Sequence, residues 1–107
     1  MTLDWAYLLL AALFEISWPI GLKMAQGTGR GLAGTTIAVA GMAASGFFLY
    51  LAQRHIPMGT AYAVWTGIGA TGTLIIGILA YGDPASPGRF AGVALIVAGV
   101  ALLKLTH

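Results

Sequence analysis

Apolar residues in this chain come in long runs, and polar residues come in short clusters between them. The first run covers about residues 3–22 and closes at Lys23; the others cover about residues 32–52, 58–81 and 90–105. Each approaches the roughly 20 residues that a helix needs to cross a hydrocarbon core. The clusters between the runs are breakers: Gly27, Gly29 and Arg30, then Gln53-Arg54-His55-Ile56-Pro57, then Gly82-Asp83-Pro84-Ala85-Ser86-Pro87-Gly88. The pattern predicts an all-α membrane protein, a single domain over residues 1–107 with four transmembrane helices.

Composition strengthens this picture. The chain is 59% hydrophobic and only 7% charged, against about 25% charged in soluble domains. Four spans use most of the 107 residues, so no extramembrane domain is expected. The net charge of +2 comes from dispersed lysines and arginines; without a basic cluster, nucleic-acid binding has no support. There is no cysteine, hence no disulfide framework and no thiol chemistry. The first span lacks a basic leader region and carries Asp4 and Glu15, so it is read as a span and not as a signal peptide. Trp5 and Tyr7 near its start suit an interfacial aromatic belt. His55 is read as a solvated loop residue. With His107 at the terminus it makes no metal site, and no cofactor or enzymatic chemistry is implied.

Small residues suggest how the spans meet. Gly41, Ala44, Ser45 and Gly46 in the second span permit close helix approach. In the third, Tyr62, Trp65 and Gly69 share a face at i, i+3 and i+7, and Gly67 and Gly69 predict a bend. The fourth has no polar residue before Lys104 at its end. Gly92, Leu95, Ile96 and Gly99 share one face there, which reads as an association surface.

Glu15 is the anomaly. It is one of three acidic residues in the chain and lies about 18 Å beyond Leu3 at 1.5 Å per residue, near mid-bilayer. A charge there costs about 2.5–3.5 kcal/mol on insertion scales and usually marks an ion or proton path. A short carboxylate cannot snorkel to water from that depth. Trp18, at i+3, points to the same side. Ser45, Tyr62 and Trp65 enter their spans from the same membrane side as Glu15 and reach similar depth. A carboxylate, two hydroxyls and two indoles suit a small cation: Tyr62 and Ser45 can donate to the carboxylate and orient it, and the indoles offer cation–π faces. Pro19, four residues past Glu15, removes one backbone hydrogen bond and favours a bend.

Positive charge gives little guide to orientation. Arg54 and Lys104 fall on one side and Lys23, Arg30 and Arg89 on the other, two against three. This leaves open both a single orientation and insertion in both orientations as an antiparallel dimer. Four helices are expected to pack as a solid bundle, so a substrate cavity needs a second copy. Two copies of Glu15 in one cavity would share protons as a pair, and a permeant cation would compete with those protons.

These residues resemble the small multidrug resistance transporters over the whole chain. The most specific segment is the thirteen-residue string from Pro57 to Gly69, Pro-Met-Gly-Thr-Ala-Tyr-Ala-Val-Trp-Thr-Gly-Ile-Gly. The stretch from Gly92 to Val100 looks like the family's dimerisation segment in helix four. Glu15-Ile16-Ser17-Trp18 and Gly41-Met42-Ala43-Ala44-Ser45 look like the guanidinium exporter subtype. The resemblance implies an antiparallel homodimer in the bacterial inner membrane that exchanges protons for cations. It places Glu15, Trp18, Ser45, Tyr62 and Trp65 in the binding cavity, with Glu15 as the essential carboxylate. Lys23 also matches a family position and is read mainly as an interfacial anchor. Pro19 stands where the family pattern has alanine, which would alter the bend just beyond the site, and Gly46 stands where it has a bulkier residue, which would enlarge the cavity; either change would admit alkylated guanidinium or some hydrophobic cations. Two alternatives stay beside guanidinium export: a broad exporter of quaternary ammonium and aromatic cations on the same fold, and a non-transporting membrane subunit.

Overall fold

The computed structural model describes residues 2–106. Four helices follow one another: α1 (Thr2–Ala25), α2 (Gly31–Gln53), α3 (Met58–Tyr81) and α4 (Pro87–Thr106). Each is long and apolar enough to cross a membrane. Local chemistry sets their ends. Gly29 takes a left-handed φ of 77° in the turn before α2. Pro57 leads into α3 and its carbonyl accepts the Ala61 N–H at 2.9 Å. Helix α4 starts at Pro87, ahead of the apolar run, because the Ser86 hydroxyl accepts the Arg89 N–H at 3.3 Å and proline needs no donor at the first helical position.

Helix α1 packs most heavily on α2 and next on α3, whereas the α4 backbone approaches only α3. The expected solid bundle is therefore corrected to an open one, 45 × 34 × 17 Å in extent. The cause lies in where the small residues fall. Gly34, Ala38, Gly41 and Ser45 form a buried stripe on α2 that draws α1 close, while α4 has no buried residue. Gly67 is where α4 rests on α3: a side chain there would meet Val100 at 2.7 Å and Ile96 at 3.2 Å. Helix α3 runs unbroken past Gly67 and Gly69, and both glycines serve as contact points.

The aromatic belt expected at the start of α1 is also corrected. Trp5 is 5% exposed and packs with Leu8, Ala52, Ile56, Ala61 and Val64. The tight turn between α2 and α3 brings Ala52 and Ile56 against it, and the Lys104 ammonium lies 5.1 Å from its ring. Tyr7 stacks on Phe48, centroids 6.1 Å apart. His55 is exposed, and its Nδ1 is 3.0 Å from Asp4 Oδ1, which ties the start of α1 to that turn. His107 lies outside the described residues, among which no group of three or more metal-ligating side chains occurs. The outer surface carries exposed Leu3, Leu13, Leu32, Val39, Phe47 and Leu79. Such a coat is a liability in water and a fit for lipid.

Candidate functional site

Glu15 sits on α1, half-buried, with its side chain laid across α3. Gly69 makes this possible, since a β-carbon at that position would fall 2.5 Å from Glu15 Cγ. One turn further along α3, Gly72 gives the same room to Ile16. The Trp18 indole N–H donates to Glu15 Oε1 at 2.7 Å. This is the i, i+3 pair anticipated from spacing, but with the indole as a hydrogen-bond donor in addition to a flat wall. The bond fixes one carboxylate oxygen of a residue that also lines a groove.

That groove is open, holds about 350 Å³, and is lined by Glu15, Pro19, Thr66, Gly69, Ala70, Thr73, Leu74, Asp83 and Arg89. It runs between α1 and α3 toward the α3–α4 loop. Pro19 contributes in two ways: its ring forms part of the wall, and it cannot donate to the Glu15 carbonyl four residues earlier.

Ser45 and Trp65 form a second pair. The Trp65 indole donates to Ser45 Oγ at 2.8 Å, and the Ser45 hydroxyl donates to the Ala11 carbonyl at 2.7 Å. The expectation that Ser45 donates to the carboxylate is thus corrected. Its target is the carbonyl one turn before Glu15, the one that helical geometry assigns to the Glu15 N–H. The chain Trp65–Ser45–Ala11 therefore joins α3, α2 and α1 at the turn that presents Glu15. Tyr62, also expected to orient the carboxylate, is 57% exposed and lies 5.4 Å from the Trp65 ring, centroid to centroid. In the protomer Trp18, not Tyr62, holds Glu15. Ser45→Ala would leave a part-buried indole N–H without its acceptor, a loss of about 1 kcal/mol. We expect a lower unfolding midpoint in detergent; a midpoint equal to the parent's would show the three-helix link to be dispensable.

Two further features were not legible from residue types. Thr66, Thr73, Asp83 and Arg89 share the Glu15 groove, although the loop containing Asp83 reads only as a breaker. The available signal was that Asp83 is one of three acidic residues. Gly46 faces open space and does not line the groove, so it does not enlarge it within the protomer. Leu95, Ile96 and Gly99 line a separate groove of about 410 Å³ between α3 and α4, together with Tyr62. Nothing approaches Gly92 or Gly99 within 4 Å of a modest side chain.

Comparison with known proteins identifies the family. Residues 3–96 match the family described as "Small Multidrug Resistance protein". A protein of Citrobacter freundii named "Guanidinium exporter" is 51% identical over 106 residues, 98% of this chain and 100% of the relative. One of the same name from Yersinia pseudotuberculosis is 50% identical over 101 residues, 94% of this chain and 96% of its own. A third, from Salmonella typhimurium, is 46% identical over 104 residues, 97% and 98% of the two chains. With a half-buried carboxylate on the first of four membrane-length helices and a match over nearly its whole length, the chain belongs to the small multidrug resistance family.

Proposed function

We propose that this multi-pass membrane protein exports guanidinium and small substituted guanidinium ions across the bacterial inner membrane in exchange for protons. The observation that carries this reading is the Glu15 carboxylate held by the Trp18 indole at the inner end of an open groove. A carboxylate has about four acceptor sites, and the indole N–H occupies one. The rest can take the paired N–H groups of a planar guanidinium, a geometry that favours two parallel charge-assisted bonds. A quaternary ammonium has no N–H to give, so the same acceptors would be stripped of water without replacement. The three relatives named for guanidinium export support this substrate class.

Proton coupling follows from the use of one group for both ligands. A protonated Glu15 has no charge to hold the cation, and a cation-bound Glu15 has no site for the proton. In an antiparallel homodimer two such carboxylates would titrate as a pair. The dimer reading is supported by an α4 whose backbone approaches α3 alone and which has no buried residue, and by Leu95 at 75% exposure beside the open Gly92 and Gly99. In that dimer the face of Gly92, Leu95, Ile96 and Gly99 would meet its copy. The Gly67–Gly69 stretch would be where α3 flexes as access alternates.

The test is transport by the purified chain in liposomes under an imposed proton gradient. Guanidinium should move, and tetraalkylammonium ions should compete poorly. Equal competition by tetraalkylammonium would replace this reading with a broad cation exporter, and no transport at all would replace it with a non-transporting subunit. Trp18→Phe keeps a ring and removes the N–H. It should raise the guanidinium KM about tenfold, on the scale of one hydrogen bond to a charged group, and narrow the preference over tetraalkylammonium. An unchanged KM would mean that the indole only fills space.

A further inference from the structure

Asp83 lies outside the apolar spans, yet its carboxylate is placed with care. Gly82 ends α3 in the left-handed region, φ 69° and ψ 23°, and reverses the chain. The Asp83 N–H then donates to the Gly77 carbonyl at 3.0 Å. Its Oδ2 comes to rest against Gly77, where the β-carbon of any other residue would collide. The loop thus folds the carboxylate back onto the last turns of α3. There it lines the Glu15 groove and an adjoining recess of about 190 Å³ that also holds Lys23 and Tyr81. Among the described residues Asp83 makes no ion pair.

Arg89 lines the same groove. Its backbone N–H is taken by the Ser86 cap, and its Nε is buried without a hydrogen-bond partner. A buried N–H left without an acceptor is unfavourable, so this side chain gains from any carboxylate within reach. Its head group is itself a guanidinium. One groove therefore contains two carboxylates, one deep and one at the loop, and a tethered copy of the proposed substrate's chemical group.

The geometry points to Asp83 as an outer cation station. It takes a guanidinium ion from water at the loop end of the groove, ahead of Glu15, and Arg89 is the tethered competitor for the same carboxylate. An ion on Asp83 keeps Arg89 off that carboxylate, and departure of the ion toward Glu15 leaves Asp83 open to Arg89. This inference rests on the guanidinium reading for its ligand, but its test does not depend on transport.

Equilibrium binding of guanidinium chloride to purified Glu15→Gln protein isolates the outer station, with sodium chloride at matched ionic strength as the reference. Saturable binding should persist and should weaken about fivefold on adding Asp83→Asn, the scale of one exposed ion pair. Adding Arg89→Gln instead should strengthen it about threefold, on the same scale. A gain of affinity cannot come from misfolding, and Asp83→Asn keeps the shape that fits against Gly77. Binding that is insensitive to Asp83→Asn, or that weakens in Arg89→Gln, overturns the proposal. If binding follows Asp83 while the parent protein moves no guanidinium across liposomes, the transport reading fails and the station stands. If the parent transports guanidinium while Glu15→Gln binds none, the station fails and the transport reading stands.

Discussion

Glu15→Gln is expected to abolish proton-driven guanidinium transport while leaving the fold intact. Glutamine matches glutamate in shape, so its methylenes still lie over Gly69 and its amide oxygen still accepts from the Trp18 indole. What disappears is the charge and one acceptor face. Two hydrogen bonds to a charged group, at about 1.5–3 kcal/mol each, are lost together, and every 1.4 kcal/mol is about tenfold in affinity. Transport should therefore fall by about a hundredfold or more. Substrate-dependent proton release at fixed pH should vanish with it, because the group that would trade a proton for the cation is gone. The pairing of the two losses is the informative part. Guanidinium uptake near the parent rate, with the proton signal intact, would move the exchange site away from α1 altogether. Uptake without proton release would leave Glu15 as a binding group and remove the coupling.

How much of this was legible in the sequence depended on what a single residue type can report. Four membrane-length helices were legible because apolar runs and breakers alternate so sharply, and Glu15 was legible because a charge among leucines has few explanations. That Ser45 and Trp65 share a level was legible from counting residues along each span. Their bonding was not. Depth places residues at one level, but the turn of each helix decides whom a side chain meets, and that turn follows from close contacts at glycines, such as the Ser17 side chain on Gly41 and the Glu15 side chain on Gly69. Depth alone therefore allows Ser45 to donate to the carboxylate, whereas its hydroxyl is found on the Ala11 carbonyl. Trp5 failed for a related reason. An interfacial tryptophan and a tryptophan under a tight turn look alike in sequence, and only the fold of Ala52 and Ile56 over its ring separates them. Asp83 was hidden by its loop: a breaker segment says where a helix ends and nothing about where the next carboxylate folds back to.

The largest expected effect on assembly comes from a residue with no side chain. At Gly34 a β-carbon would fall on the Ala25 amide, 2.5 Å from the Gly21 carbonyl oxygen and 2.8 Å from Ala25 Cα. The reciprocal position is as tight, since a β-carbon at Gly21 would lie 2.5 Å from Ala38 N and 2.7 Å from the Gly34 carbonyl oxygen. All these atoms are backbone, so no rotamer change can relieve the overlap and the two helices must part. Within a bilayer, helices associate through van der Waals contact and not through release of water, so a gap between α1 and α2 is not offset by burying the surface elsewhere. Overpacking of a well-fitted contact typically costs about 1–3 kcal/mol, and Gly34→Ala should fall in that range. Gly34→Leu should exceed it and leave little folded protein, read as loss of the cooperative unfolding transition in detergent. Separation at Gly34 would also draw α1 away from Ser45, eleven residues further along α2 on the same buried stripe, and so disturb the turn that presents Glu15. Gly92→Leu supplies the contrast. Nothing in the protomer lies within 4 Å of that position, so protomer unfolding should shift by no more than about 0.5 kcal/mol, as for ordinary surface changes. The same substitution should weaken the dimer if the α4 face is its seam. A Gly34→Leu protein that melts like the parent would show that the α1–α2 contact does not carry the fold. A Gly92→Leu protein that melts like the parent and still dimerises would place the seam elsewhere.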